Sequence, residues 1–111
     1  MKVIIDIEDS CVKYHLELDR RINFIVGDSG TGKTTIVDLV NSSLNDSSIS
    51  INTNIELYPV TLLSWRNDIK SLTNKLIIMD DLEVVSTMEF ASLVKNYCIK
   101  NNLYFLIGYL Y

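Results

Sequence analysis

The sequence predicts a small α/β domain in which a minimal, mostly parallel sheet is preceded by an antiparallel β-hairpin. Three observations predict this class. Residues 2–8 and 12–18 alternate apolar and polar side chains on either side of two turn residues, which is typical of a hairpin. The apolar runs 22–26 and 76–79 are typical of central strands buried on both faces. A stretch with helical spacing follows each run.

Between the two apolar runs the pattern changes from helix to loop to strand. Apolar side chains recur at helical spacing over 33–44, and a stretch rich in Ser and Asn then favours a loop. A strand is predicted over 50–57, and Pro59 interrupts it. A short amphipathic helix is predicted before the second run. Its apolar stripe consists of Trp65, Ile69 and Leu72.

The last third of the chain predicts one more helix and one more strand. Residues 86–89 form a capping box, in which Ser86 and Glu89 satisfy each other's backbone amides, so the helix begins there. It runs to about Lys100, and the apolar run 103–109 forms the last strand. The side chains predicted to be buried on this helix are Phe90, Leu93, Val94 and Tyr97.

Length, hydropathy and charge restrict the class of protein. A chain of 111 residues predicts one domain, 1–111. Its apolar runs are too short to cross a bilayer, and its N-terminus alternates like a strand instead of resembling a signal peptide, so we expect a cytoplasmic protein. The net charge of −4 disfavours nucleic-acid binding, because phosphate contacts need clustered Lys and Arg.

The cysteines and the histidine do not indicate a metal site. Cys11 and Cys98 fit neither a metal-ligand spacing nor a disulfide framework, and we interpret them as small buried side chains. His15 stands alone in a strand pattern, so we interpret it as a structural or exposed residue.

A glycine-rich loop lies between the first apolar run and the helical stretch that follows. It matches the pattern Gly-x-x-x-x-Gly-Lys-[Ser/Thr] at Gly27, Gly32, Lys33 and Thr34. Such glycines let backbone amides surround a polyphosphate, and the helix dipole adds partial positive charge. Lys33 is expected to reach the β- and γ-phosphates, and the Thr34 hydroxyl to bind Mg²⁺. The residues expected to bind the nucleotide are Gly27, Asp28, Ser29, Gly30, Thr31, Gly32, Lys33, Thr34 and Thr35.

Carboxylates follow the second apolar run, where the other half of such a phosphate site is needed. Asp80 comes directly after the run, and together with Thr34 it is expected to bind the metal ion. Asp81 is the candidate for polarising an attacking water, although Asp is one methylene shorter than Glu. Lys33 and Asp81 are therefore the candidate catalytic residues.

Residues 27–34 together with Asp80 and Asp81 resemble the P-loop NTPases of the additional-strand division, which includes ABC-type and AAA-type ATPases. The opening hairpin that runs into 22–27 also resembles the start of ABC-type domains. The whole chain resembles small ATP-binding proteins of bacterial mobile elements. The resemblance implies a three-layer P-loop sandwich, with ATP and Mg²⁺ as ligands.

The sequence departs from this family pattern at several points. Asp81 stands where members usually carry Glu, and residues 105–108 lack the polar sensor that commonly ends the next strand. No arginine follows Arg66, and no Leu-Ser-Gly-Gly-like signature lies between the motifs. These departures bear on hydrolysis more than on binding.

The chain ends at Tyr111, where family members continue into at least one more strand. This predicts a domain that is minimal or truncated at its C-terminus. An apolar C-terminal strand at the edge of the sheet would need covering, so we expect a homo-oligomer or a protein partner on the C-terminal edge.

Several functions remain open from the sequence. A GTPase is disfavoured because residues 74–77 lack the final Asp of the guanine-reading motif Asn-Lys-x-Asp, and residues 80–83 lack the glycine of the motif Asp-x-x-Gly. A nucleotide or small-molecule kinase is disfavoured because its lid needs several arginines, and the chain has only Arg20, Arg21 and Arg66. The hypotheses that remain are an ATPase with slow turnover, a non-hydrolysing nucleotide-dependent switch or adaptor, and a structural protein that retains only the fold.

Overall fold

A computed structural model describes residues 2–8, 13–27, 48–79 and 82–110, and these contain seven strands and three helices. The predicted helix over 33–44 lies outside the described residues. The strands are β1 (Val3–Glu8), β2 (Lys13–Leu18), β3 (Ile22–Gly27), β4 (Ser50–Thr53), β5 (Glu56–Pro59), β6 (Lys75–Met79) and β7 (Tyr104–Leu110). The helices are α1 (Trp65–Ser71), α2 (Leu82–Val85) and α3 (Met88–Tyr97).

The first three-stranded sheet is antiparallel and has the order β2-β1-β4. The predicted hairpin is confirmed, because β1 pairs with β2 from Val3 opposite Leu18 to Glu8 opposite Lys13. On the other side of β1, β4 pairs in antiparallel orientation from Ser50 to Thr53. The alternating pattern of β1 buries one face of the sheet, and the other face is exposed or half-buried.

The single strand predicted over 50–57 is divided between two sheets, so that prediction was wrong in its extent. Thr53 Oγ1 accepts a hydrogen bond from the Ile55 amide at 3.3 Å and donates to the Ile55 carbonyl at 3.0 Å. Asn54 bonds the backbone of β1, accepting from the Ile4 amide at 2.9 Å and donating to the Lys2 carbonyl at 2.8 Å. The Thr53 bonds are local and the Asn54 bonds reach the start of β1, and together they allow the chain to pass from β4 to β5.

The second sheet has four parallel strands in the order β3-β7-β6-β5. β7 lies inside it, paired with β3 and β6, so the expectation of an apolar C-terminal strand at the edge was wrong. β3 was predicted to be central, but among the described strands it lies at the edge, and Phe24 is 52% exposed. The units β5-α1-β6 and β6-α3-β7 each add one strand in the same direction, and this connectivity puts the C-terminal strand next to β3.

The parallel sheet lies between the antiparallel sheet and the helices. Side chains along β6 and β7 alternate between these two neighbours, as strand geometry requires. Those packed with the antiparallel sheet are Leu76, Ile78, Tyr104 and Leu106. Those packed with the helices are Ile77, Met79, Phe105 and Ile107. The three described layers are thus sheet, sheet and helices in a mixed α/β fold.

The amphipathic helix α1 is confirmed, with Trp65 and Ile69 buried against the sheet. The turn that leads into it is closed by two reciprocal hydrogen bonds between side chain and backbone, which were not predicted from the sequence. Thr61 Oγ1 accepts from the Ser64 amide at 3.1 Å, and Ser64 Oγ accepts from the Thr61 amide at 3.1 Å. None of the helices in the described ranges is long and apolar enough to span a membrane.

The N-cap of helix α3 lies one residue after the predicted cap, Ser86. Its N-cap is Thr87, whose Oγ1 accepts from the Phe90 amide at 3.1 Å and donates to the Val84 carbonyl at 2.7 Å. Glu89, the other predicted member of the box, instead accepts from Arg66 on α1. Thr87 is the N-cap in place of Ser86 because its hydroxyl also closes the turn that follows α2. The helix ends at Tyr97, and turns lead to β7.

Substitution Thr87→Ala should lower the free energy of unfolding by about 1 kcal/mol, because the Phe90 amide loses its cap acceptor. Urea denaturation measures the effect through the unfolding midpoint. Thr87→Ser retains the hydroxyl and should stay close to the wild type. Equal losses for the Ala and Ser variants would contradict capping by the hydroxyl.

The amino ends of three parallel strands are tied together by two asparagines. Asn74 and Asn102 have left-handed backbone angles, with φ of 55° and 53°. Asn102 Nδ2 donates to Asn74 Oδ1 at 2.8 Å, so the residues that precede β6 and β7 hold each other. Arg21, which precedes β3, donates to Asn102 Oδ1 at 2.8 Å. This end of the sheet is therefore occupied by structural contacts.

His15 lies on the exposed face of the antiparallel sheet between two carboxylates. Its Nδ1 is 2.5 Å from Asp6 on β1, and its Nε2 is 3.3 Å from Glu17, which also accepts from Lys2 at 3.2 Å. The hydrogen bond to Asp6, followed by that to Glu17, raises the pKa of His15 above its ordinary value. The interpretation of His15 as an exposed, structural residue is confirmed.

This cluster makes stability depend on pH. A raised pKa in the folded state means that protonated His15 contributes stability below its unfolded pKa of about 6.5, and loses it as pH rises through the folded pKa. Wild type and His15→Gln should therefore differ most in urea midpoint near pH ~5.5 and least near pH ~9. A difference that is constant across this range would show that the ring's charge is irrelevant.

Candidate functional site

The motif residues lie almost entirely outside the described part of the chain, but the strands that carry them are described. Gly27, the first residue of the loop, is the last residue of β3. Residues 28–35, with Lys33 and Thr34, lie outside the described residues. So do Asp80 and Asp81, which follow the last residue of β6, Met79. The predicted strands before both motifs are confirmed.

The two strands that precede the motifs lie in one parallel sheet and point the same way. β3 pairs with β7, and β7 pairs with β6. Because neighbouring strands lie about 4.8 Å apart, the backbones of β3 and β6 are about 10 Å apart. Both strands end at the carboxyl edge, which is the edge where parallel α/β sheets bind ligands.

The strands end at different heights along this edge. Phe24, Ile107 and Met79 share one row across β3, β7 and β6. β6 ends at this row, whereas β3 continues for three more residues to Gly27, which pairs with Leu110. The three residues correspond to about 10 Å. At this edge β6 therefore ends three residues, about 10 Å, before β3 and β7 do.

The strand between the two motif strands is apolar over its described side chains at this edge. Phe105, Leu106 and Ile107 are each at most 2% exposed. They belong to the two hydrophobic cores, Leu106 on one face and the other two on the opposite face. Their apolar character agrees with the sequence, in which residues 105–108 include no polar sensor residue. Core packing is the role that the structure assigns to these side chains.

The turn between β5 and α1, at the same edge, carries exposed apolar side chains that were not predicted from the sequence. Leu62 is 59% exposed and Leu63 is 95% exposed. The Thr61 and Ser64 side chains that flank them are bonded to each other and to the turn's backbone. The pattern Thr-x-x-Ser after a strand was the signal in the sequence for this turn.

Arg66, in the first turn of α1, is held by contacts that stabilise the helix layer. Its Nε donates to Glu89 Oε2 at 2.8 Å, and its guanidinium lies 4.5 Å from the centre of the Trp65 ring. The hydrogen bond from Arg66 lowers the pKa of Glu89. Arg66 therefore links α1 to α3, and this is a structural role.

The other two arginines precede β3, at the opposite edge of the sheet from Gly27. Arg21 donates to Asn102 and to the Leu103 carbonyl, and its guanidinium lies 4.4 Å from the centre of the Tyr104 ring. The Arg20 side chain is exposed. Six residues of β3 separate these arginines from the loop, which is about 20 Å of strand. Arg20 and Arg21 therefore lie at the amino edge of the parallel sheet.

Cys98 is a buried free thiol, as predicted, and is 7% exposed. Its Sγ donates to the Leu103 carbonyl at 3.3 Å, and burial raises the pKa of the thiol. The thiol is thus held in its neutral, unreactive form. Cys11 lies outside the described residues.

The chain matches no protein-family model, no curated protein and no solved structure. The resemblance to P-loop NTPases therefore rests on the motifs and on the order of elements, and it stays a prediction.

Proposed function

We propose that this protein binds ATP with Mg²⁺ at the carboxyl edge of its parallel sheet. The observation that supports the proposal most is the arrangement of the motif strands. β3 and β6 are parallel, are separated only by β7, and end at the same edge. The ends of these strands, Gly27 and Met79, are offset by about 10 Å across the sheet and about 10 Å along the strands. A phosphate loop and a carboxylate that follow them can meet at one polyphosphate with its metal ion.

In the proposed site, the backbone amides of 27–32 bind phosphate oxygens and Lys33 supplies a positive charge. Thr34 and Asp80 would hold Mg²⁺, whose preferred ligands are oxygens.

Slow hydrolysis of ATP is part of this proposal, with Asp81 polarising the attacking water. One observation favours the alternative of a non-hydrolysing switch. The described side chains of β7 near the edge, Phe105 to Ile107, are apolar and buried, so they offer no polar contact to a γ-phosphate. Phosphate release measured against a Lys33→Ala background separates the two functions.

Asp80→Asn should weaken the Mg²⁺-dependent part of ATP binding by about 10–100-fold, because the amide lacks the negative charge that supports the cation. ATP binding measured in excess chelator should change little. Titration calorimetry with and without Mg²⁺ checks both results. Asp19→Asn is a matched control on the exposed surface, where the Asp19 side chain is 72% exposed. If both variants bind Mg-ATP like the wild type, Asp80 has no role at the metal.

A further inference from the structure

Large apolar side chains on the helix layer are strongly exposed. Leu63, in the turn before α1, is 95% exposed, and Met88, the first residue of α3, is 89% exposed. Ile99, two residues after the end of α3, is 71% exposed. A single exposed apolar residue is ordinary on a protein, whereas several on one surface are typical of an interaction site.

Contacts between α1 and α3 show that these residues belong to one surface. Both helices connect parallel strands of the same sheet, so they run in the same direction. The ring centroids of Trp65 on α1 and Phe90 on α3 are 6.0 Å apart. Leu63 and Met88 each precede one of these residues by two positions, so they lie at the same end of the helix pair. Ile99 lies about 16 Å away at the other end, at about 1.5 Å per helical residue.

The end of the helix pair near Ile99 carries positive charge. Lys70, in the last turn of α1, and Lys100, next to Ile99, are both exposed. Asn101 donates from Nδ2 to the Lys70 carbonyl at 3.3 Å, so the residues after α3 lie against the end of α1. Within the described part of the chain, neither lysine forms an ion pair. Both ammonium groups can therefore pair with carboxylates of a partner.

Few carboxylates on the two helices oppose these charges. Glu89, between the two ends, accepts from Arg66 at 2.8 Å, and Asp68 is half-buried. The hydrogen bond from Arg66, and to a lesser extent the charge of Lys70, lower the pKa of Glu89. Helix α1 and residues 88–100 together contain four Lys or Arg and two Asp or Glu, so their net charge is +2 in a chain of net charge −4.

We propose that the outer helix surface binds an acidic amphipathic helix of a partner protein. This surface is formed by Leu63, Met88, Ile99, Lys70 and Lys100. A helix layer has no free backbone groups like those of a sheet edge, so side chains supply the contacts, as in helix-in-groove recognition. The apolar stripe of the partner helix covers the three apolar side chains, and its carboxylates pair with the two lysines. About eleven residues, or three turns, span the distance of about 16 Å between the ends.

The charge of the chain disfavours other anionic partners. Nucleic acids and acidic membranes present many phosphate groups, and proteins bind them through larger clusters of Lys and Arg. The outer helix surface offers two unpaired lysines, and the chain as a whole is acidic. A short protein segment suits this surface better, because burial of the three apolar side chains contributes to its affinity together with the two ion pairs.

The first test determines which chemistry the surface selects. Random peptides of about 16 residues, displayed on phage, are selected against the full chain without nucleotide, so the result does not depend on the proposed ATP site. We expect binders with apolar residues at helical spacing and Asp or Glu beside them. Binders without acidic residues, or a failure to select any binder, overturn the proposal. So does an oligonucleotide or a phosphatidylserine vesicle that binds this surface while no acidic peptide does.

The second test measures the affinity of a selected acidic peptide by fluorescence anisotropy. Lys70→Gln combined with Lys100→Gln should weaken binding about tenfold, because two ion pairs are lost. Leu63→Ser should also weaken it about tenfold, because a buried apolar contact is lost. Two matched controls on the antiparallel sheet should bind like the wild type: Lys13→Gln, whose side chain is 78% exposed, and Ile4→Ser, at a residue that is 37% exposed. Equal losses on both surfaces, or no loss in the outer helix variants, overturn the proposal.

Amide chemical shifts cover the case in which a variant fails to fold. In the isotope-labelled wild-type chain, the selected peptide should shift the amide signals of Leu63, Met88 and Ile99 and leave those of β2 unchanged. A peptide that leaves these three signals unchanged binds elsewhere, which overturns the proposal.

Discussion

Lys33→Ala is expected to remove most of the thermal stabilisation that Mg-ATP gives to this protein. With ligand at about a hundredfold over its dissociation constant, a wild-type binder gains about 2.7 kcal/mol. In a domain of this size that corresponds to a rise of about 10–20 °C in melting temperature. Differential scanning fluorimetry with and without Mg-ATP measures the shift directly.

The effect is large because one ammonium group serves two phosphates. In the proposed site Lys33 meets the β- and γ-phosphates, and its loss leaves their charge unbalanced. The chain is acidic, with a net charge of −4, so few other groups can compensate. Lys95→Ala on the exposed surface of α3 is the matched control and should melt and respond like the wild type. If Lys33→Ala and Lys95→Ala respond alike, the loop is not a phosphate site.

Phe105→Ala should destabilise the fold by about 3–5 kcal/mol, which is a large fraction of the 5–15 kcal/mol typical of a domain. Phe105 is fully buried in β7, the strand paired on both sides in the parallel sheet. Its ring packs against Phe90 of α3, with centroids 6.0 Å apart and planes at 79°. Truncation therefore loses transfer free energy, leaves a cavity and removes an aromatic contact.

Urea denaturation followed by circular dichroism checks this result through the unfolding midpoint. Leu63→Ala is the control, because Leu63 is apolar but 95% exposed, and its change should stay within about 0.5 kcal/mol. Comparable losses at both positions would mean that Leu63 is covered in solution. A loss below about 1 kcal/mol at Phe105 would contradict its place in the core.

The secondary structure was largely predictable because it follows from the local periodicity of apolar and polar residues. Alternation predicted the β1–β2 hairpin, and the continuous apolar run predicted β6. The helical stripe of Trp65 and Ile69 predicted α1. Each of these patterns shows which side chains share one face of a strand or helix. That depends only on residues close together in the sequence.

The cap of α3 and the division of 50–57 were not predictable in the same way. Ser86 and Thr87 are both good caps, and the hydrogen bond from Thr87 to Val84 depends on the preceding turn. The chain leaves β4 because Asn54 bonds β1, some 50 residues earlier. Such choices depend on partners that are distant in sequence.

The sequence alone determined where most of the strands and helices lie along the chain. It also determined the positions of the glycine-rich loop and of the carboxylates after residues 76–79. Only the tertiary structure decided the order of the strands. An apolar run such as 22–26 indicates that a strand tends to be buried, but it does not indicate which strands lie beside it. The crossovers through α1 and α3 put β7 inside the sheet and left β3 at the edge of its described part. That order brings the two motif strands to one edge with a single strand between them.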